Sequence, residues 1–191
     1  EDSLVKSPEQ LFEIYLKSVG RGANLILNVP PGRRGLITQY DSASLMSFKE
    51  LREESFANDL SKKGRQYFIY NKKPIPVKEL NTGNSQSYET ITMTESQSIE
   101  IALNQPEKMN CIVLKENLTN GQNCAKFTIQ LLDKNHEIIR KIDGTTIGHK
   151  RIITFPDTEA DFINLSIDAQ KGFTKITEMR AYLVDEKLTE K

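Results

Sequence analysis

The chain has 191 residues, a length that allows one domain or two small ones. Its 26 lysines and arginines balance its 26 aspartates and glutamates, so no net charge favours a nucleic acid or an anionic membrane as a partner. No stretch approaches the roughly 18 apolar residues that a membrane span requires. Short basic clusters, such as Lys62 to Arg65, have acids nearby and indicate solvated surface.

Helix signals dominate the first 60 residues. Ser7 is a typical N-cap, Pro8 suits the first helical position, and Gln10 can close a capping box. An apolar stripe follows until Gly20 and Gly22 end the predicted helix. A second helix is predicted to begin with Asp41 as its cap. The residues that it turns inward are Leu45, Phe48, Leu51 and Phe56.

Residues 24–29, NLILNV, separate the two predicted helices and have the pattern of one buried parallel strand. A strand buried on both faces needs similar neighbours, and nothing else in the chain repeats helix, strand and helix. The strand is therefore either an orphan edge or one part of a larger sheet. The chain also starts at Glu1 without a methionine, which is typical of a processed or excised start.

From residue 61 onward the apolar residues alternate with a period of two. Clusters of Asn, Gly, Asp and Pro separate the runs, which predicts an antiparallel β-sandwich of about eight strands. Asp143-Gly144 indicates a hairpin turn, and residues 71–87 indicate a loop. The candidate strands are Arg65–Tyr70, Tyr88–Thr94, Ser98–Leu103, Cys111–Glu116, Lys126–Leu132, Ile138–Ile142, Lys150–Phe155, Phe162–Asp168 and Thr174–Val184.

Few residues have the spacing of a metal or nucleophile site. Cys111 and Cys124 are too few for a metal site or a disulfide scaffold; one bridge and two buried thiols remain the alternatives, and the thiols are favoured. His136 and His149 stand alone. Neither a nucleophile elbow nor a phosphate-binding glycine loop is present. The sequence therefore predicts no metal and no cofactor.

Two stretches resemble one enzyme family. Residues 18–37, SVGRGANLILNVPPGRRGLI, are similar to the end of the catalytic (β/α) barrel of α-L-fucosidases of glycoside hydrolase family twenty-nine. Residues 113–116, 120–122 and 144–152 resemble the discoidin-type module that follows this barrel in many members. The resemblance implies a mainly β fold. A galactose-binding-like antiparallel β-sandwich (jelly roll) over 61–191 follows an α-β-α remnant of the barrel over 1–60.

The resemblance also implies a function for the parent protein. Members of this family are retaining enzymes that hydrolyse terminal α-L-fucosyl residues with two carboxyl groups. Both groups are expected upstream of residue 1, so we expect no catalytic residue in this chain and no activity from it alone. The implied partners are fucosylated glycans and the missing barrel, in the same or a partner chain. The resemblance also implies a periplasmic or secreted location.

If residues 24–29 form the last barrel strand, the loop after it lies at the mouth of the pocket or on its outer rim. Asn28, Pro30 and Arg33 are then the candidates for residues near the substrate. A rigid turn is the alternative and is favoured, because Pro30-Pro31 stiffens the loop while Gly32 and Gly35 permit it.

The sandwich offers a second candidate site, an aromatic platform on which a sugar could stack. Tyr88, His149 and Phe173 are its candidate residues, with Tyr67 and Tyr70 as further rings. The chain has no tryptophan, and an aromatic in a half-buried strand is more often core filler. Two functions thus remain: the C-terminal part of a fucosidase with the sandwich as a buttress, and a freestanding carbohydrate-binding module.

Overall fold

A computed structural model describes residues 5–77, 80, 81, 89–91 and 97–188. Two α-helices precede a set of antiparallel strands, and short 3-10 turns cover Val19–Arg21, Leu60–Lys63 and Glu186–Leu188. The elements are α1 (Pro8–Lys17), α2 (Gln39–Ser55), β1 (Gly64–Tyr70), β2 (Lys73–Pro76), β3 (Glu89–Ile91), β4 (Gln97–Glu116), β5 (Cys124–Leu132), β6 (Ile138–Gly144), β7 (Arg151–Gln170) and β8 (Thr174–Tyr182).

Both helices start at side-chain caps. The Ser7 hydroxyl accepts from the Gln10 amide at 3.3 Å and the Gln10 side chain accepts from the Ser7 amide at 2.9 Å, which confirms the predicted capping box. The prediction that Asp41 caps α2 is wrong. Thr38 is the cap, and its hydroxyl accepts from the Asp41 amide at 3.2 Å. Asp41 lies in the first turn, where a carboxylate favours the positive end of the helix dipole.

The predicted strand over residues 24–29 is the main error of the sequence analysis. The segment lies between α1 and α2 without a strand partner among the described residues. A strand exists only through hydrogen bonds to a neighbour, and the apolar pattern of a sequence does not supply that neighbour. Leu25 and Leu27 are half-buried against the helices, whereas Ile26 is 90% exposed.

The turn predicted after this segment is confirmed. Pro31 and Ile37 form an isolated antiparallel bridge, and the Gly32 amide donates to the Leu36 carbonyl at 2.8 Å. Gly35 has a φ of 74°, a left-handed conformation that glycine adopts without steric cost. The loop therefore has a defined turn geometry of its own.

The strands form one continuous antiparallel network in the order β2-β1-β4-β7-β5-β6, with β8 joining β4 to β3. Four predicted strands merge into two, because β4 and β7 each run for 20 residues. Their pairing is interrupted by a register shift between Ala102 and Glu107. On one side of this shift β4 also pairs with β1, and on the other side it also pairs with β8.

Two turn predictions differ from the structure. Asp143 and Gly144 lie inside β6, opposite Thr128 and Phe127 of β5, so they form no hairpin turn. Gly144 is needed there for space, because a Cβ on it would lie 2.1 Å from the Phe127 ring. The predicted loop over 71–87 contains β2, which pairs with β1 across a tight turn at residues 71 and 72.

Two buried clusters occupy opposite faces of the β4–β8 pair. The sandwich core contains Ile112 and Leu114 together with apolar residues of β5 and of the second half of β7. The second cluster contains Cys111 and Val113 together with residues of both helices. Successive side chains along β4 therefore point to opposite faces of the sheet, as expected for a strand that is covered on both faces.

The helices thus pack on the outer face of the sandwich. Leu11 and Phe48 are 5% and 7% exposed, so the sandwich covers side chains that a detached helix pair would expose. The predicted fold class, an antiparallel β-sandwich preceded by a helical segment, is confirmed. Among the described helices, none combines the length and the apolar character needed to cross a membrane.

Candidate functional site

The predicted substrate-proximal residues lie close together in sequence and face solvent. Asn28 and Pro30 follow the half-buried Leu27, and Arg33 lies in the glycine turn; all three are exposed. None of the three lines the cavity between the helices and the sandwich that is described below. Their role near a substrate remains a prediction.

The predicted aromatic platform is only partly visible. Tyr88 lies outside the described residues. Phe173 is 63% exposed between β7 and β8, and His149 is exposed just before β7. Tyr67 and Tyr70 belong to β1, and Tyr70 is 45% exposed. No ring contact joins these residues to one another within the described ranges, so the platform also remains a prediction.

Glu116 organises the loops from which His149 projects. It is 4% exposed, and one of its carboxylate oxygens accepts from the amides of Asn123 and Cys124 at 2.7 and 3.1 Å. Its other oxygen accepts from the Gly148 amide at 3.3 Å. Glu116 therefore ties the loop after β4 to the loop before β7. These loops contain residues 120–122 and most of residues 144–152, two of the three stretches that resemble the discoidin-type module.

A cavity that the sequence analysis did not find lies where the helices meet the outer face of the sandwich. Its volume is about 520 Å³, within the usual range for small-molecule sites. Its floor comes from β4 and β8, its walls come from α1 and the end of α2, and Lys150, just before β7, completes the lining. The lining residues are Tyr15, Arg52, Glu53, Phe56, Val113, Lys115, Lys150, Glu178, Arg180 and Tyr182.

The register of the sheet explains how the floor is assembled. Val113 of β4 is paired with Arg180 of β8, and Lys115 is paired with Glu178. Because side chains two residues apart project from the same face, all four can point toward the helices. Their positions lie far apart in the sequence, and no short motif joins them. This is why sequence reasoning missed the cavity.

The floor carries a network of ion pairs. Glu178 accepts from Lys115 at 2.9 Å and lies 3.2 Å from the Arg180 Nε atom. Arg180 also approaches Asp59, whose side chain is 3% exposed, at 3.5 Å. Burial raises the pKa of the neighbouring Tyr182 to about 12, and the charge of Asp59 adds to this shift. Tyr182 is therefore a neutral hydrogen-bonding group at ordinary pH.

Lys150 differs from the other cations of the cavity because its contacts are neutral. Its ammonium donates to the Tyr15 hydroxyl at 2.7 Å. It also lies over the rings of Tyr15 and Phe56, at 5.3 and 5.7 Å from their centroids. No aspartate or glutamate of the described residues lies within ion-pair distance of it. Aromatic faces thus hold this cation in place without neutralising it.

The thiols and the acidic residues suggest no further chemistry. Cys111 and Cys124 are free and buried, and burial raises the pKa of each thiol to about 12. Thiols with such pKa values are poor nucleophiles at neutral pH. Within residues 5–77 and 97–188 no three metal-ligating side chains converge.

Known proteins resemble the chain over most of its length. A putative α-L-fucosidase 1 of rice (Oryza sativa subsp. japonica) is 33% identical over 174 residues, which are 87% of this chain and 33% of the rice protein. A putative α-L-fucosidase of Bacteroides thetaiotaomicron has a solved structure with a TM-score of 0.85 and 26% identity. That match covers 98% of this chain and 42% of the bacterial protein. No protein-family model matches the chain.

Part of the chain is similar to a smaller protein. A chitosan-binding module of a Paenibacillus chitosanase/glucanase matches 65% of this chain and 97% of its own length, with a TM-score of 0.52 and 15% identity. At that identity the likeness concerns the fold. The curated relatives, by contrast, extend well beyond the match, since the chain spans about a third of their length. The resemblance to α-L-fucosidases of glycoside hydrolase family 29 is confirmed.

Proposed function

We propose that this chain, a homologue of α-L-fucosidases, is the C-terminal part of a longer retaining α-L-fucosidase and that its sandwich supports the catalytic barrel. Residues 1–60 would then be the end of the barrel and residues 61–191 the accessory domain. The substrates of the longer protein would be fucosylated glycans. A periplasmic or secreted location is proposed from the family alone.

The observation that carries this proposal is the apolar cluster between the helices and the outer face of β4 and β8. Phe12 is 1% exposed and its ring lies 6.1 Å from the ring of Phe56, which contacts Tyr182 of β8 edge to face at 5.2 Å. A sandwich that only binds sugar does not require a helical layer on this face. A buttress does, because it must hold barrel helices against a rigid surface.

The exposed side of the same helical layer fits this interpretation. Ile26 is 90% exposed, and Leu36, Ile37 and Met46 are each more than half exposed. Exposed apolar patches of this kind are typical of surfaces that another protein segment covers. In the longer enzyme, the preceding barrel strands would cover this side and supply hydrogen-bond partners for residues 24–29.

Hydrolysis requires an acid/base group and a nucleophile held on either side of the sugar ring, with their carboxyl groups about 5–5.5 Å apart in retaining enzymes. Both groups are expected upstream of residue 1; of the chain's own acids, Glu53 lines the open cavity beside the helices and Glu54 is exposed on α2. We therefore expect the 191-residue chain alone to be inactive and the longer protein to cleave with retention of anomeric configuration.

An aryl α-L-fucoside assay tests the proposal. The 191-residue chain and a longer protein that ends with the same residues are compared at equal concentration. Turnover by the longer protein alone supports the proposal. Turnover by the short chain that survives purification and disappears when one of its own acids is replaced would refute it.

A freestanding carbohydrate-binding module is the second candidate. The observation in its favour is the exposed Phe173 beside loops whose arrangement Glu116 fixes. Titration of fucose, galactose and fucosylated oligosaccharides into the chain tests it. Low-micromolar affinity that Phe173→Ala or His149→Ala abolishes would favour the module.

A further inference from the structure

We propose that the cavity between the helices and the sandwich binds a small oxyanion, the carboxylate of an acidic sugar, and that Lys150 is its main charged contact. This proposal does not depend on the fucosidase assignment of the longer protein, because every residue that it uses lies in this chain.

The first step is the charge of the cavity. Lys115 and Arg180 share Glu178, and Arg180 also contacts Asp59, so these cations are largely compensated. Lys150 donates to a phenol oxygen and lies over two ring faces, and no carboxylate of the described residues forms an ion pair with it. Glu53, the other acid of the lining, lies 3.9 Å from Arg52. A cation inside a partly enclosed cavity attracts anions more strongly than one on an open surface, because less water screens it.

The second step is the preorganisation of that cation. Lysine side chains lose considerable rotamer entropy when a ligand immobilises them. Here the hydrogen bond to Tyr15, which is 7% exposed, and the stacking over Phe56 hold the Lys150 side chain in place before any ligand arrives. An anion would therefore bind without the full cost of ordering this side chain.

The third step is the size and composition of the cavity. A volume of about 520 Å³ accommodates a monosaccharide. The lining combines apolar surface from Val113 and Phe56 with polar groups from Tyr182 and Arg52. A sugar acid matches this combination, because its ring presents both C–H and hydroxyl groups while its carboxylate can accept from Lys150.

Isothermal titration calorimetry on the 191-residue chain provides the test, with sodium glucuronate, inorganic sulfate and neutral glucose as the three probes. We expect one saturable site per chain for glucuronate, weaker binding of sulfate and none of glucose. Raising the salt concentration should weaken binding, because ions screen the charge of a partly exposed pair. Equal affinity for sulfate and glucuronate would support the oxyanion site and assign it to a free inorganic anion.

Lys150→Met should weaken glucuronate binding about tenfold or more, since a charge-assisted hydrogen bond is lost. Lys150→Arg should retain most of the affinity. Lys126→Met is the matched control, because Lys126 is an exposed lysine on β5 outside the cavity. Unchanged melting temperatures verify that the variants fold.

Arg52→Gln is a second variant that leaves Lys150 and its ring contacts in place. Arg52 lines the cavity, and among the described residues its one ion-pair contact, with Glu53, is long at 3.9 Å. Its replacement should weaken glucuronate binding several-fold. Absence of binding by either anion, or equal binding by the wild-type chain and Lys150→Met, would overturn the proposal.

Discussion

Replacing Phe12 by alanine should destabilise the helices and the sandwich together. Phe12 is 1% exposed and contacts the rings of Tyr15 and Phe56, whose centroids both lie 6.1 Å away. Phe56 in turn contacts Tyr182 of β8. The side chain removed is therefore part of a continuous apolar layer that joins α1 to the sheet, and its loss leaves a cavity in that layer.

The magnitude follows from burial. A phenylalanine side chain buries about 150–250 Å², which corresponds to about 4–6 kcal/mol at 25 cal/mol per Å². Measured Phe→Ala changes in protein cores cost about 3–5 kcal/mol. For a chain of this size each kcal/mol lowers the melting temperature by about 2–4 °C. The variant should therefore melt about 6–20 °C below the wild type.

Amide hydrogen exchange shows whether the helices and the sandwich unfold together or separately; it is measured on Phe12→Ala and on a control variant. Exchange at Leu11 in α1 and at Ile129 in β5 should accelerate by the same factor in Phe12→Ala, because both regions would unfold in one step. Tyr40→Ala is the control, since Tyr40 is 49% exposed and its removal should change stability by less than about 0.5 kcal/mol. Faster exchange in α1 with unchanged exchange at Ile129 would show that the cluster does not couple the two layers.

Three further predictions concern the sandwich. Gly144→Ala should lower the free energy of unfolding by about 1–3 kcal/mol in urea titrations, because a Cβ would lie 2.1 Å from the buried Phe127 ring; an unchanged midpoint would contradict this. Glu116→Gln should lower the free energy of unfolding by about 1–3 kcal/mol, because the substitution replaces one carboxylate oxygen that accepts from backbone amides with a donor. The amide signal of Gly148 should then shift in NMR spectra. Cys111 and Cys124 should resist iodoacetamide at pH 8 until denaturant is added, because burial raises both thiol pKa values to about 12. Rapid labelling of the native chain would show that the thiols are accessible.

The fold was predictable wherever local chemistry determines it. The capping box at Ser7 and the turn after Pro31 depend on residues within a few positions of each other, and both were predicted correctly. The alternation along β5 and β8 identified strands because one face of each is buried in a common core. These features require no knowledge of what lies elsewhere in the chain.

The errors arose where residues distant in the sequence determine the local structure. Asp143-Gly144 is a common hairpin pair, but at this position the glycine makes room for Phe127 of the neighbouring strand. Residues 97–116 looked like two strands because polar residues interrupt the apolar pattern, whereas β4 continues through a register shift. Such continuity depends on the partner strand, which a single-sequence pattern does not identify.

The same limit explains why the candidate cavity was not predicted. Lys150 stands between His149 and Arg151, and nothing in that sequence context distinguishes it from an ordinary surface lysine. Its distinctive environment comes from Tyr15 in α1 and Phe56 at the C-cap of α2, both more than 90 residues away in sequence. A charged residue can be recognised as unusual only when the neighbours that the fold brings to it are known.

Residues 24–29 provide the most direct test of whether the chain needs the remainder of a longer protein. In the described residues none of their amides donates to a backbone carbonyl, although Leu25 and Leu27 are half-buried against the helices. An amide without a hydrogen-bond partner exchanges with solvent through small local openings, whereas the amide of Ile129 exchanges only when the sheet opens. In a dilute monomer of the 191-residue chain, the amides of residues 24–29 should therefore exchange far faster than that of Ile129. In the longer protein, strands on either side should bring their protection close to that of the sandwich. Equal protection of the two regions in the monomer would show that the segment is already satisfied, and would remove the main reason for placing it in a barrel.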